Sequence, residues 1–424
     1  MARLGLALSL IRGDHFGIAL PAHPDALIAA GATFLTEAFR ATGALAAGNR
    51  VLRIVRADAC KAGSTGRKLF LSVEYEHAAP DLHRELFVKF SRDFDDPIRD
   101  RGRNQLEAEV QLALLSRDPS FPIAVPRCYF ADYERDSGTG LVIAQRIAFD
   151  RNGVERAYEK CRDFEMQQAL EHYRALLTAV ARLAGAHQGG RLPAHLVRDF
   201  GFDVDDAMAR DRLRYSTEQL LRRVDRIAEF AAAHPRLLQA DVEALKREIP
   251  RFVEHEPALH RFLLGDARFI ALCHWNANVD NAWFWRDANS ALQCGLLDWG
   301  RVGQMSIAHA IFGALSAAEQ SMWELHLDEL LALFAREFAA AGGAQIDPLE
   351  LRSHVLLTAK LMGLVWLFDA PALIRRQLPD LPVDVDRFDS GLLGNETARV
   401  QLHMLTTVLN AWRLPQPFLP RFLM

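Results

Sequence analysis

The sequence predicts an α+β protein with two lobes, an antiparallel sheet lobe followed by a larger and mostly helical lobe. Short segments rich in Val, Leu, Ile and Phe alternate with polar turns up to about residue 147, and long segments of helical periodicity dominate from about residue 155. A run of strands followed by a run of helices is typical of α+β chains. At 424 residues, the chain also exceeds the length at which one hydrophobic core usually stops growing.

The first part of the chain divides into an N-terminal helical extension, residues 1–48, and a sheet lobe, residues 49–150. In the extension, a helix begins at Pro24 and ends at Gly43, a residue type that commonly follows a helix. In the sheet lobe, three strands form a meander, one helix follows, and two more strands complete the sheet. These segments are VLRIVRAD, KLFLSVEYEH, RELFVKFSR, the helical RNQLEAEVQLALLSR, RCYFADY and TGLVIAQRI.

Residues 151–424 form the predicted helical lobe. Periodic segments predict helices near residues 164–187, 206–233, 238–264, 307–341 and 349–368. Strand character returns only in NAWFW and LQCGLLDW, which the polar RDANSA joins into a predicted hairpin. The hairpin follows the polar loop CHWNANVD, so the sequence places a group of reactive side chains in front of two short strands.

The composition favours a small-molecule partner. Fifty Lys and Arg against 54 Asp and Glu give a formal net charge of −4, with both signs spread along the chain. We therefore expect no partner among nucleic acids or anionic membranes, and no window reaches the roughly 18 apolar residues that a membrane span needs. The five cysteines are scattered and form no C-x-x-C pair, which favours a reducing cytoplasm.

The hairpin presents two candidate metal ligands. Asn281 stands at the start of its first strand, and Asp298 closes its second strand. An amide oxygen and a carboxylate can share one Mg²⁺, which takes its remaining ligands from water and phosphate. Asn and Asp are also common turn formers at strand ends, and that structural role is the alternative interpretation.

A lysine in an apolar strand marks a candidate phosphate site. Lys89 lies in ELFVKFSR, and the following helix offers Glu107 and Glu109. A lysine beside a core needs a partner or a ligand, and a helical carboxylate would hold it toward phosphate oxygens. An edge strand whose lysine reaches water is the alternative.

The turn AGSTGR, between the first two strands, is a candidate phosphate-binding turn. Gly63 and Gly66 can adopt positive φ, and Ser64 offers a hydroxyl. Such a turn can lay backbone N–H groups against phosphates. It can equally join two strands without a ligand, and it lacks the pattern of P-loop NTPases.

Taken in order, these motifs resemble the aminoglycoside phosphotransferase and choline/ecdysteroid-kinase-like family, which shares the protein-kinase-like fold. LCHWNANVDNAWFW is similar to the family pattern H-G-D-x-x-x-x-N, and GLLDWG resembles its metal-binding aspartate segment. The resemblance runs from about Ile28 to Gly343 and is most specific over residues 271–300.

The resemblance implies binding of ATP and Mg²⁺ and transfer of phosphate to a hydroxyl of a small molecule. Lys89 would contact the phosphates, and Glu109 would position it, with Glu107 as the reserve candidate. Backbone near Gln145 to Ile147 would hold the adenine. The implied nucleotide-binding residues are Lys89, Glu109, Gly63, Ser64, Gly66, Gln145 and Ile147, and the implied Mg²⁺ ligands are Asn281 and Asp298.

The chain departs from the family pattern at its catalytic aspartate, which falls on Asn276. An amide cannot accept a proton at neutral pH, and a positioned base typically contributes a factor of about 10²–10⁴. Asp280 is the nearby carboxylate that could substitute. Three function classes therefore remain: a phosphotransferase with an altered base, an ATP-using enzyme such as a nucleotidyl transferase, and a nucleotide-binding protein without catalysis. Retention of the lysine, its glutamate and both metal ligands favours the phosphotransferase.

Overall fold

The computed structural model describes residues 10–60, 66–97, 99–100 and 105–417. The chain divides into two compact units. The first comprises Met1–Val154, Leu192–Phe200 and Gly295–Val302, and the second comprises Glu155–Arg191, Gly201–Cys294 and Gly303–Met424.

An antiparallel sheet of five strands is the centre of the first unit. A short hairpin precedes it, formed by β1 (Leu10–Arg12) and β2 (Ala19–Pro21). The five strands are β3 (Val51–Ala59), β4 (Lys68–Tyr75), β5 (Glu85–Phe90), β6 (Cys128–Glu134) and β7 (Thr139–Gln145). Their spatial order is β3, β4, β5, β7, β6, so β5 is the central strand. The predicted five-stranded antiparallel sheet is confirmed.

Helices α1 (Pro24–Ala41) and α2 (Leu106–Leu115) pack on opposite faces of this sheet. Leu141 and Ile143 of β7 lie in the core that α1 closes, whereas Val142 between them lies in the core that α2 closes. Alternate residues of a strand point to opposite faces, which explains this division. The helix assigned to an N-terminal extension, α1, therefore packs against one face of the sheet. The opposite face, on which α2 packs, is the one that can carry functional side chains.

The other helices follow α2 in the chain, and all of them except the short helix Ala194–Val197 lie in the second unit. They are α3 (Ala169–Gln188), α4 (Ala194–Val197), α5 (Val204–Arg210), α6 (Thr217–Ala233), α7 (Val242–Glu254), α8 (Glu256–Leu264), α9 (Ile307–Leu315), α10 (Gln320–Leu325), α11 (Leu327–Ala340), α12 (Pro348–Trp366), α13 (Ala370–Gln377), α14 (Ser390–Gly394) and α15 (Glu396–Arg413). The predicted helical lobe is confirmed, and the fold class is α+β.

Two pairs of short antiparallel strands accompany these helices. β8 (Ile270–Cys273) pairs with β11 (Gly303–Ser306), and β9 (Ala282–Arg286) pairs with β10 (Leu292–Leu296). The second pair is the predicted hairpin. The first pair was not predicted, because β8 is wholly buried and only four residues long, and so short an apolar run has no period that identifies a strand.

Helix α12 is the central helix of the second unit and packs against α9, α11 and α15. All fifteen residues from Leu351 to Val365 are buried. No single described helix is long and apolar enough to cross a membrane; α12 and α13 pass that test only as a pair bent by 52°. The burial of α12 accounts for its apolar composition, since a helix that is apolar all round is the normal core helix of a large protein.

Three of the predicted helices are divided in the structure. The segment 206–233 is interrupted before Ser216, which starts α6 with a capping box to Gln219. The segment 238–264 is interrupted at His255, and α8 then begins at Glu256 with a proline in its first turn. The segment 307–341 becomes α9, α10 and α11. At the first two breaks a capping box or a proline begins a new helix, although the apolar period continues across the break.

Candidate active site

Lys89 on β5 is held between two carboxylates in the first unit. Its Nζ lies 2.6 Å from Oε2 of Glu109 and 2.8 Å from Oδ1 of Asp298. Val88 and Phe90 point into the core under α1, so Lys89 points to the opposite face, where α2 presents Glu109. Only 3% of Lys89 is exposed. The lysine is thus a buried cation held in one position from two sides.

The two carboxylates keep this buried lysine charged. Burial lowers the pKa of Lys89, but the charges of Glu109 and Asp298 outweigh burial and raise it above its ordinary value. For Glu109 the directions are reversed: burial raises its pKa, and the charge of Lys89 opposes that effect. Because the pair is separated by 2.6 Å, the two groups titrate as one unit. Removal of Lys89 would leave Glu109 as a buried charge without its ion-pair partner, whereas Lys89 without Glu109 would keep its contact with Asp298.

Glu107, the reserve candidate, has a different partner. Its Oε1 accepts a hydrogen bond of 2.6 Å from Nη2 of Arg135, and its side chain is buried. Residues two apart on a helix do not share a face. The geometry therefore pairs Lys89 with Glu109 and turns Glu107 toward Arg135.

Asp298 occupies a turn with unusual backbone geometry after β10. Its φ is +57°, in the left-handed region. The indole Nε1 of Trp299 donates to the carbonyl of Leu296 at 3.1 Å, and the Leu296 N–H donates to Ala124 O at 3.0 Å. A non-glycine residue in this region costs about 1–3 kcal/mol, and such residues cluster at functional sites. The Asp298 side chain is 47% exposed, so it can contact a ligand as well as Lys89.

A second buried lysine, Lys68 on β4, was missed by sequence reasoning. Lys68 stands directly opposite Lys89 in the strand register and is buried. Burial and then the charge of Lys89 lower the pKa of Lys68, while Asp298 and Glu109 oppose them. The alternation of β4 could have shown that Lys68 points to the face opposite Leu69. The pairing register with β5 is needed to place Lys68 beside Lys89.

The glycine turn contacts the strand that carries Lys89. Gly66 has a φ of +66°, and a Cβ on it would lie 1.9 Å from the carbonyl oxygen of Phe90. The Phe90 N–H in turn donates to Arg67 O at 2.9 Å. Only glycine fits this approach. Gly63 and Ser64 lie outside the described residues.

The segment expected to hold adenine follows β7. The N–H of Gln145 donates to Arg127 O at 2.8 Å, and the N–H of Arg146 donates to Glu85 O at 3.1 Å. The sheet thus uses both of these donors. Ile147 lies just beyond the strand and is half-buried, so the adenine contact expected of this segment would begin there.

The loop after β8, in the second unit, is fixed around Asn276. The N–H of Asn276 donates to Nδ1 of His274 at 3.1 Å, and its carbonyl accepts from Nδ2 of Asn281 at 2.9 Å. Gly313 of α9 lies against this loop, and a Cβ on it would be 1.9 Å from the carbonyl oxygen of Trp275. Nδ1 of His274 thus holds the backbone of the loop at Asn276.

Two donors of the protein occupy the side-chain oxygen of Asn276. Its Oδ1 accepts from Nζ of Lys160 at 3.3 Å and from Nδ2 of Asn278 at 2.5 Å. An amide oxygen has two lone pairs. A substrate hydroxyl that donates to this oxygen would therefore have to displace one of the two donors.

Lys160 also pairs with Asp280, the candidate substitute base. The Nζ of Lys160 lies 3.6 Å from Oδ2 of Asp280. Burial raises the pKa of Asp280, and Lys160 opposes that effect. Oδ1 of Asp280 is buried and has no hydrogen-bond partner among the described residues. In this arrangement Oδ1 is closed to solvent, and Oδ2 faces the ammonium of Lys160.

The backbone holds Lys160 beside the loop. Its carbonyl accepts a hydrogen bond of 3.2 Å from Nε of Arg399, a buried residue, and the next residue, Cys161, has a φ of +61°. The sequence around Lys160 carries no motif and lies more than a hundred positions before Asn276. Sequence reasoning therefore had no means of finding Lys160.

The carboxylate of Asp298 in the first unit fits a metal that is bound together with a nucleotide. Within the described residues, no group of three or more His, Cys, Asp and Glu side chains could hold a metal ion. Asp298 offers a half-exposed carboxylate, and Mg²⁺ accepts one or two such oxygens and completes its shell with water and phosphate. In the second unit, Asn281 is buried, and its Nδ2 donates to Asn276.

No protein-family model and no curated protein sequence matches the chain. Solved structures are similar to it at low identity. A protein from Ralstonia eutropha JMP134, provisionally assigned as an aminoglycoside phosphotransferase, is 12% identical with a TM-score of 0.43, over 84% of this chain and 92% of that chain. A choline/ethanolamine kinase family protein from Mesorhizobium loti is 14% identical with a TM-score of 0.37, over 84% and 92%.

A spectinomycin phosphotransferase, solved with ADP and spectinomycin, is 11% identical with a TM-score of 0.37, over 84% of this chain and 94% of that chain. None of these three structures is more than 14% identical to the chain.

Proposed function

We propose that the chain is an ATP-dependent phosphotransferase that acts on a hydroxyl group of a small molecule. The observation that carries this proposal is the buried ammonium of Lys89, fixed by Glu109 on one side and Asp298 on the other. A buried lysine held by a helical glutamate, with an aspartate suited to Mg²⁺ beside it, is the arrangement that aligns nucleotide phosphates in kinases.

In the first unit, the side chains balance the charge of the nucleotide. Lys68 and Lys89 face each other across β4 and β5 and would hold phosphate oxygens, while Glu109 keeps Lys89 in place. Asp298 would be a ligand of the Mg²⁺ that accompanies ATP, and bound Mg²⁺ neutralises charge on the phosphates.

In the second unit, Lys160 would supply positive charge beside Asn276, the residue that stands where the family pattern has an aspartate. Phosphoryl transfer depends mostly on positioning and charge stabilisation, and a strong base is not essential to a loose transition state. The ammonium of Lys160 lies beside Asn276 and would stabilise negative charge on the oxygens at the reacting centre. Asp280 would act as a positioning residue, because it contacts Lys160 and its Oδ1 is closed to solvent.

Product analysis tests this proposal against the other two classes. The full chain is incubated with Mg·ATP and a panel of hydroxyl-bearing metabolites, and the products are identified by mass spectrometry. We expect ADP and a phosphorylated acceptor: the hydroxyl oxygen bonds to the γ-phosphorus, the bond to the β–γ bridging oxygen breaks, and the hydroxyl proton passes to water. Pyrophosphate with an adenylylated acceptor would indicate nucleotidyl transfer, and bound but unchanged ATP would indicate a non-catalytic protein; either contradicts the proposal.

A further inference from the structure

A cavity in the second unit is lined by apolar and polar side chains together. Phe164, Leu237, Leu392 and Leu402 are among its apolar lining residues, and Gln320, Arg387, Arg399 and His403 are among its polar ones. We call this space the mixed cavity.

A second cavity adjoins the mixed cavity. The two share Leu237, Gln320 and Thr406 as lining residues. The second has a volume of about 240 Å³ and is otherwise lined mostly by polar side chains, namely Arg236, Gln239, Asn410 and Arg413. We call it the donor cavity, because its polar lining is dominated by hydrogen-bond donors. Among the described residues that line it, none is acidic.

One donor in this cavity is buried without a partner. Asn410 is only 6% exposed, and its Nδ2 makes no hydrogen bond with a described residue. An unsatisfied buried donor costs about 1–3 kcal/mol, and such groups in native proteins call for an explanation such as a bound ligand. A ligand oxygen accepting from Nδ2 would satisfy this group.

The arginines give the donor cavity a positive charge. Arg413 is exposed in the last turn of α15 and has no carboxylate partner among the described residues. Arg236 is paired with Asp386 at 3.0 Å, so its charge is partly balanced. An oxyanion fits this set, because guanidinium groups bind carboxylate and phosphate with matching geometry.

We propose that the donor cavity binds an oxyanion, the carboxylate or phosphate group of a small molecule. Arg413 would supply positive charge, and the buried Nδ2 of Asn410 would donate a hydrogen bond to one of its oxygens. This inference concerns residues of the second unit other than Asn276 and Lys160, so its test is independent of the proposed phosphotransferase function.

Calorimetric titration of the full chain with inorganic phosphate and with acetate tests this site. Arg413→Glu reverses the charge at the cavity, and its matched control is Arg261→Glu, an exposed arginine in the last turn of α8. A second variant, Asn410→Leu, removes the buried donor at similar volume. Lys89→Met serves as the control for phosphate bound at the nucleotide site.

We expect Arg413→Glu and Asn410→Leu each to weaken binding of the preferred probe by about tenfold or more, a loss of about 1.4 kcal/mol. Arg261→Glu and Lys89→Met should not. The probe that binds tighter identifies the oxyanion as phosphate or carboxylate. Binding weakened only in Lys89→Met would agree with the nucleotide site and overturn this inference. No measurable binding of either probe, or equal weakening in Arg261→Glu, would also overturn it.

Discussion

Asn276 differs from an aspartate by one amide nitrogen, and its surroundings decide what that difference means. Lys160 and Asn278 donate to its side-chain oxygen. The sequence identified Asn276 as the position of the missing base, but it could not show that a distant lysine occupies the same oxygen. Asn276 is therefore better described as a hydrogen-bond acceptor that positions Lys160 than as a general base of reduced strength.

Replacement of Asn276 by aspartate tests this description. The new carboxylate would form an ion pair with Lys160 at the present 3.3 Å contact and remove the lysine's charge from the reacting centre. We expect ADP release from Mg·ATP to fall. Asn289→Asp, an exposed residue in the β9–β10 turn, is the control and should leave the rate unchanged. A gain of about 10²-fold, the lower range for a general base, would contradict the account and identify position 276 as a base site.

Replacement of Lys160 by methionine tests the proposed source of charge. We expect kcat for ADP release to fall by about 10²-fold or more, since groups that stabilise transition-state charge are typically worth that much, with little change in the affinity for Mg·ATP. Lys246→Met is the control, because Lys246 is a lysine of the same unit paired with Asp225 on the surface. Full turnover in Lys160→Met would remove Lys160 from the catalytic machinery.

At the level of elements, the direction in which side chains point from each strand and helix determined how much of the site could be predicted. The apolar strand with one lysine and the helix with two glutamates were visible in the sequence. The choice of Glu109 over Glu107 and the presence of Lys68 were not, because both depend on helix rotation and strand register. The loop around Asn276 was predicted as a motif, but its contacts with α9 and Lys160 are tertiary and leave no local pattern.

Gly313 of α9 tests how closely that helix supports the loop. In Gly313→Ala, the methyl group would lie 1.9 Å from Trp275 O, so the loop or the helix must move. We expect the free energy of unfolding in urea to fall by about 1–3 kcal/mol, the usual cost of overpacking, together with loss of turnover. The control, Gly303→Ala on β11, meets nothing within 4 Å. Wild-type stability in Gly313→Ala would contradict this packing.

The β5–α2 ion pair makes a prediction about stability. Lys89→Met leaves Glu109 buried without its cation, and we expect a loss of about 3–5 kcal/mol, whereas Lys89→Met/Glu109→Leu should recover most of it. Urea unfolding of the two single variants and of the double variant measures the coupling free energy between Lys89 and Glu109. A double variant as unstable as the sum of the singles would show that the two side chains do not act as a pair.

The same variant should respond to pH. Burial raises the pKa of Glu109 and Lys89 lowers it, so Lys89→Met raises this pKa further above its unfolded value. A carboxyl with a raised folded pKa loses stability as the pH rises from the unfolded pKa to the folded pKa. The deficit of Lys89→Met relative to wild type should therefore be smaller at pH 5 than at pH 8. A deficit that grows on acidification would contradict a buried, uncompensated carboxylate.

At the level of the whole molecule, the order of strands and then helices was enough to predict the fold class. The five-stranded sheet and the helical part follow directly from hydrophobic periodicity. The packing of α1 on the sheet, the pair β8–β11 and the breaks within three long helical segments were missed, because they depend on burial and capping in the folded chain. The donor cavity was also invisible, since residues far apart in sequence form it.

The central claim is that the first unit binds Mg·ATP through Lys89 and Asp298. Calorimetric titration of wild type and Asp298→Ala with ATP, in Mg²⁺ and in EDTA, tests this claim most directly, with unfolding curves to confirm that the variant is folded. We expect binding that depends on Mg²⁺ and is weakened about tenfold or more in Asp298→Ala, because the variant loses the carboxylate proposed to bind the metal. Equal affinity of the two proteins for Mg·ATP, or wild-type affinity unchanged by EDTA, would contradict the account.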